Sequence, residues 1–271
     1  MASPQGSEDV TPRAPPRLVT AGTYRPRTVF FCYMLVEIWS DVVCPWCYIG
    51  KRRFEKALAG FEHAEQVQVR WRSFELDPTA PFRRSGDMAG HLAAKYGLSL
   101  GQAQRQLEHM DAMAAGEGLD MALADTKPGN TFAAHRLIHL GYSIDSKTGA
   151  ATKEALLHAY FVDRVAVSEP EELARVAGLV GLDATEVADL LASDRFADQV
   201  RSDEREAAEL GATGVPFFVF DRSFAVPGAQ DPDTLLAILR RAWQRRHPDL
   251  EVVTTGPAAG LCDGDTCEVP A

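Results

Sequence analysis

Long hydrophobic runs are missing from this sequence of 271 residues: nowhere do 18 apolar residues stand in a row, so nothing in it reads as a membrane-spanning helix. Positive charge is in deficit as well. Twenty-eight Lys and Arg face 38 Asp and Glu, a formal net charge of −10. That balance argues against nucleic acid or an anionic membrane surface as a main partner and leaves small molecules and other proteins. Cysteine is scarce, and five in a chain of this length do not form a disulfide scaffold. A secretory leader is not evident either. The apolar stretch Val29 to Val36 lies deep in the chain and runs on without a small-residue cleavage site. These absences together point to a cytoplasmic protein. What remains is 46% hydrophobic, enough for a sizeable core in one large domain or in a small one with an insertion.

Two of the five cysteines stand close together, in Cys44-Pro45-Trp46-Cys47, and the chain is organised around them. Residues 34 to 39 are β-branched and aromatic, whereas Lys51 to Leu58 carries Phe54, Ala57 and Leu58 at helical spacing. The pair therefore sits where a strand hands over to a helix. Pro45 marks the helix start, because its missing N–H would have no intrahelical partner in the first turn. A spacing of three puts both sulfurs on one helix face, about 5–6 Å apart at the backbone, which suits a reversible disulfide. Unpaired N–H groups and the positive end of the helix dipole favour an anion at Cys44, so its thiolate is expected to form more readily than that of a free cysteine. Cys44 is then the attacking sulfur and Cys47 the resolving one. Two other readings compete: a zinc site completed by Cys262 and Cys267, and a pair of inert core cysteines. Structural zinc sites prefer knuckle-like turns, and a helix start is an unusual place for inert thiols.

Residues 1 to 33 are rich in Pro, Ser, Thr and Arg and read as a disordered arm, with Met34 as an alternative start and no role for Cys32. After the first helix, Val67 to Phe74 alternates as a second strand ending at Asp77-Pro78. From about Asp87 to Leu210 the pattern is helical, with helices expected over 92–96, 102–115, 131–140, 153–161, 171–180 and 184–191. Strand character returns at Pro216–Phe220 and Phe224–Val226 around a short polar turn, a hairpin; Asp231-Pro232 then caps a last helix reaching about His247.

Strand, Cys-Pro-Trp-Cys helix, strand, helical insertion, Val-Pro hairpin and final helix: this order resembles the thioredoxin fold in its DsbA-like form. The run Val36 to Phe54, the stretch Asn130 to Leu137, and Gly214-Val215-Pro216 with Gly228-Ala229-Gln230 resemble the FrnE branch of that family, allied to the 2-hydroxychromene-2-carboxylate isomerases and kappa-class glutathione transferases. The resemblance implies an α/β fold, a thioredoxin fold with a large all-helical insertion. Its first part spans 34–82, the insertion 83–210 and its second part 211–247, with a flexible tail over 248–271. It also implies a cis bond before Pro216, which would face Cys44 and leave the Val215 backbone free to pair with a substrate peptide. The allied isomerases and transferases typically carry serine where this chain has Cys44, a departure that favours thiol–disulfide chemistry.

Other candidates are secondary. Asn130, Thr131 and His135 belong to the family-like stretch and are expected to line the cleft; Trp46 either contacts unfolded substrates or packs on the insertion. His135 and His139 lie four apart, yet no third metal ligand stands at a compelling spacing, and no metal is assigned. Glu37 and Asp41 are candidate proton acceptors for Cys47, against the more ordinary role of a solvated or hydrogen-bonded carboxylate for each. In the tail, Cys262 and Cys267 flank an Asp-Gly turn that can bring them together as an auxiliary redox pair. The expected activity is disulfide oxidoreduction or isomerisation on disulfide-bearing proteins or small thiols. It needs no metal or organic cofactor, and glutathione stays open as a co-substrate. The rival enzyme reading is a glutathione-dependent isomerase or transferase acting on an aromatic polyketide-like molecule; the non-catalytic rival is a binding module with a structural Cys-x-x-Cys.

Overall fold

Seven extended residues, Met34–Ser40, form strand β1 at the centre of a four-stranded sheet of order β2-β1-β3-β4, in the computed structural model. β2 (Val67–Ser73) runs parallel to β1; β3 (Phe217–Phe220) is antiparallel to it, and β4 (Phe224–Pro227) closes the hairpin onto β3. The structure describes residues 33–248 and, as backbone alone, 262–263 and 266–267. The arm over 1–32, Cys32 included, and most of the tail lie outside the described residues.

Strand periodicity decides the two faces. Val36, Ile38, Phe218 and Phe220 point one way, onto helix α1 (Pro45–Ala59) and the last helix, α9 (Pro232–Arg246), which follows Asp231 as its N-cap. Trp39, Phe217 and Val219 point the other way and pack on α8 (Ala197–Glu209). Glu37 shares that second face. It is buried and held by Arg72 and Arg222, which makes it an ion-pair anchor of the sheet.

Between β2 and β3 the chain is helical: α2 (Met88–Tyr96), α3 (Leu100–Gly116), α4 (Phe132–Ile144), α5 (Ser146–Phe161), α6 (Pro170–Leu179), α7 (Ala184–Leu191) and then α8. These helices enclose a second core that reaches the first through Val42, Tyr48 and Ile49. The sequence reading omits α8. Its thirteen residues bury only Val200, Asp203 and Ala207, so apolar periodicity is nearly silent. What fixes α8 is Asp203, whose carboxylate takes Arg72, the Ser73 amide and His139, while its backbone oxygen accepts from the Trp39 indole. Helices α4 and α5 meet at glycines: a Cβ on Gly149 would lie 2.4 Å from the Tyr142 ring, and one on Gly141 2.6 Å from Thr152 Oγ1. That close approach carries the next turn of α5, with Lys153, beneath the end of β1. No helix among the described residues is long and apolar enough to cross a membrane.

Candidate active site

β1 ends at Ser40, and five residues later α1 begins with Pro45 in its first turn and Cys44 as N-cap, in extended conformation at φ −91° and ψ 114°. The Cys47 amide closes that turn onto the Cys44 carbonyl at 3.0 Å. Both cysteines are free thiols. Cys44 keeps 4% of its surface and Cys47 none, so Cys44 alone can meet a substrate. The Val215–Pro216 bond is cis, and the Val215 carbonyl accepts from Cys44 Sγ at 3.6 Å. The strand-to-helix junction and the loop before β3 thus converge on one sulfur.

Beneath them lies a polar network shut away from water. Asp41, 1% exposed, accepts from the Val42 amide at 2.7 Å and the Leu76 amide at 2.8 Å, and meets His135 Nε2 at 3.2 Å. His135 is wholly buried, and its Nδ1 has no hydrogen-bond partner. Burial lowers the pKa of His135 against the pull of Asp41, so the ring is neutral at pH 7. Lys153 rises from α5 into the same space, its Nζ donating to the Ser40 carbonyl at 3.0 Å. Burial pushes its pKa down to about 8, and the neighbouring Cys47, Asp41 and Cys44 pull it back up.

The thiols titrate together, Cys44 shifted up and Cys47 shifted down. Cys44 is raised well above the usual thiol range, first because it is hydrogen-bonded to Cys47, then by burial and by the Cys47 and Asp41 charges. Burial opposes ionisation of Cys47 too. The Cys44 hydrogen bond, the Lys153 ammonium and the Ser40 hydroxyl nevertheless bring it below its ordinary value. The helix N-terminus favours an anion at Cys44, while the Cys44 hydrogen bond and then the buried Lys153 cation favour one at Cys47.

The remaining sequence candidates separate. Trp46 and Val215 line a cavity of about 400 Å³ that opens on Cys44 and is walled by α2 and α3. Thr131, buried at the start of α4, borders a neighbouring hollow of about 110 Å³ together with Asp41. Asn130 borders neither. Its side-chain oxygen accepts from the Phe132 amide at 2.9 Å and so secures the first turn of α4. His135 and His139, one turn apart, face different carboxylates, Asp41 and Asp203. Lys153 is absent from the sequence reading. Its signal is a lysine within the stripe 149, 152, 153, 156, 157 and 160, which is otherwise apolar or small and is buried along α5. In the tail, backbone strands 262–263 and 266–267 pair antiparallel with Cys262 opposite Cys267.

Among the solved structures that resemble the chain, three are informative. A probable DsbA oxidoreductase, SCO1869 of Streptomyces coelicolor, is 45% identical with a TM-score of 0.76, over 88% of this chain and all of that one. A 2-hydroxychromene-2-carboxylate isomerase, 17% identical with a TM-score of 0.57, covers 79% of this chain and 98% of its own. The cytosolic disulfide reductase DsbM of Pseudomonas aeruginosa with GSH is 19% identical with a TM-score of 0.56, over 78% and 99%. The last two share the fold. The DSBA-like thioredoxin domain model matches residues 35–240, the sheet, the cysteine helix and the helical insertion together, and the chain belongs to that family.

Proposed function

We propose that the protein is a cytoplasmic thiol–disulfide oxidoreductase whose working dithiol is Cys44 and Cys47. The observation that carries the reading is the pairing of a 4% exposed Cys44 at a helix start with an inaccessible Cys47 held beside a buried ammonium. Cys47, the more acidic sulfur, takes the proton from Cys44, and the Cys44 thiolate attacks one sulfur of a substrate disulfide. The substrate S–S bond breaks, and one half leaves as a thiolate. Cys47 passes that proton to the departed thiolate and, as a thiolate beside Lys153, attacks Cys44 Sγ; the Cys44–substrate bond breaks, and the second half leaves as a thiolate that takes its proton from water. The protein ends oxidised and the substrate as two thiols. Each step uses atoms already at hand, so no metal or organic cofactor is required, and glutathione can serve as co-substrate.

In this reading Trp46 gives an apolar contact, and the Val215 backbone and Pro216 form the wall against which the substrate lies. Disulfide-bearing proteins and small thiols are both admitted. Cys262 and Cys267, opposite each other in a backbone ladder, act as an auxiliary pair exchanging with the active site. A second reading, a glutathione-dependent isomerase or transferase, draws on the cavity at Cys44 and on the fold shared with the isomerase. Insulin-reduction turnover compared with glutathione binding separates the two. Turnover that vanishes in Cys44→Ser supports the oxidoreductase, and tight glutathione binding without any insulin reduction supports the isomerase.

A further inference from the structure

The cavity at Cys44 is chemically lopsided. Met88, Leu92, Leu107, Met110 and Phe161 give it an apolar body, with few polar atoms for a peptide-like ligand to satisfy. Its α2 side carries His91 and Lys95, one turn apart. Among the described residues neither forms an ion pair, although the chain as a whole has ten more acidic than basic charges. Lys95 lies over the Tyr96 ring at 5.6 Å, and Arg84 stands near enough to His91 to depress its pKa, after burial. The nearby acid, Asp77, is already taken by Arg84. An acidic protein that leaves an ammonium unpaired at the mouth of its nucleophile's cavity holds a local positive potential there, and a low-dielectric wall focuses it.

We infer that this cavity selects a small disulfide with an aromatic or otherwise apolar body and a carboxylate, the body lying against the α2–α3 wall and the carboxylate at Lys95 and His91. The inference rests on the oxidoreductase reading and narrows its substrate class. The chemistry is one exchange: the reduced protein and one aryl disulfide give the Cys44–Cys47 disulfide and two aryl thiols. Two electrons pass from the protein to the substrate, and the two protons of the dithiol pass to the products or to water. A compact apolar anion matches this wall better than the extended and strongly hydrated glutathione disulfide, which remains a slower oxidant.

The test is single-turnover oxidation of the reduced full-length protein at low ionic strength by three probes, each rate divided by that probe's rate with dithiothreitol. Bis(4-carboxyphenyl) disulfide and bis(4-aminophenyl) disulfide share a shape and differ in charge; glutathione disulfide is anionic without the apolar body. The carboxyphenyl probe is expected to lead the aminophenyl probe by about tenfold, with salt eroding the lead, and glutathione disulfide to trail both. Lys95→Glu should abolish or invert the carboxyl-to-amino ratio, and Lys95→Gln should reduce it. Circular dichroism establishes that both variants are folded. A ratio indifferent to Lys95→Glu, or glutathione disulfide reacting as fast as the carboxyphenyl probe, overturns the inference. If no probe oxidises Cys44 and Cys47, the oxidoreductase reading itself fails and takes the inference with it.

Discussion

The Lys153 ammonium donates to the Ser40 carbonyl at 3.0 Å from a side chain with no exposed surface, and its charge, after the Cys44 hydrogen bond, helps to lower the Cys47 thiol against burial. An element of the insertion therefore sets the electrostatics of a dithiol carried by the thioredoxin-fold part. Replacing Lys153 with methionine keeps the bulk and removes the charge. The first thiol ionisation should rise, and because the reduced form loses its stabilised thiolate, the reduction potential should become more negative. Each pKa unit lost corresponds to about 30 mV for a two-electron couple. Thiolate absorbance against pH and equilibration with glutathione redox buffers measure the two shifts.

The same lysine gives a stability test. Its pKa is about 8 in the folded state against an ordinary 10.5, so across that window the unfolded chain binds more protons than the folded one. Wild-type stability should gain from this group as pH rises from 8 to 10.5, and the gain should be missing in Lys153→Met. Denaturant melts of the two proteins across that range give the difference directly.

Asp41 is the second test of the buried network. It accepts from two backbone amides and faces His135, and although burial raises its pKa, these partners and Lys153 lower it overall. An asparagine retains only one accepting oxygen, so Asp41→Asn should cost about 1–3 kcal/mol by leaving a buried donor unmet. The gap between wild type and variant should be complete above the ordinary carboxyl value of 3.8 and close as pH falls through the lowered folded value. The Cys44 thiol, which Asp41 pushes up, should come down in the variant.

Gly50 is a packing test of the active-site wall. A Cβ there would lie 3.0 Å from Pro216 Cγ and 3.3 Å from Ala229 Cβ, so α1 can approach the loop before β3 only without a side chain. Gly50→Ala should destabilise by about 1–3 kcal/mol through overpacking and slow insulin reduction as Pro216 is displaced. Gly60→Ala is the control. It ends α1 at φ −88°, where alanine is at ease, and its Cβ would meet nothing nearer than 3.6 Å. Thermal melts and turnover of both variants decide the point.

The C-terminal pair makes the fourth test. In a Cys47→Ala protein, Cys44 has lost its resolving partner, and a disulfide between Cys44 and Cys262 or Cys267 should be recovered by non-reducing digestion and mass spectrometry. No such cross-link, together with full turnover after truncation at Leu250, would remove the pair from the reaction.

The cysteine helix, the hairpin and the final helix were legible in the sequence because each carries a strong local signal: Pro45 at a helix start, an aromatic and β-branched run over Phe217–Phe220, and Asp231-Pro232 as a cap. The resemblance supplied the cis bond, which nothing local to Val215 and Pro216 could have given. Illegible were the features that depend on what packs against what. Helix α8 buries a charge rather than a stripe, and Lys153 reads as an ordinary helical lysine until Gly141 and Gly149 draw α5 under β1. The influence of Lys153 on the thiols was hidden for the same reason. The dipole at Cys44 is a property of local sequence, whereas the cation at Cys47 comes from more than a hundred residues away.

The measurement that bears most directly on the central claim is mass-spectrometric mapping of mixed disulfides after mixing reduced Cys47→Ala and Cys44→Ser proteins with a disulfide substrate. The account predicts a stable mixed disulfide on Cys44 in the first, to the substrate or to Cys262 or Cys267, and virtually none on the inaccessible Cys47 in the second, with insulin reduction lost in both. An adduct on Cys47, or a Cys44→Ser protein that still reduces insulin, would contradict it.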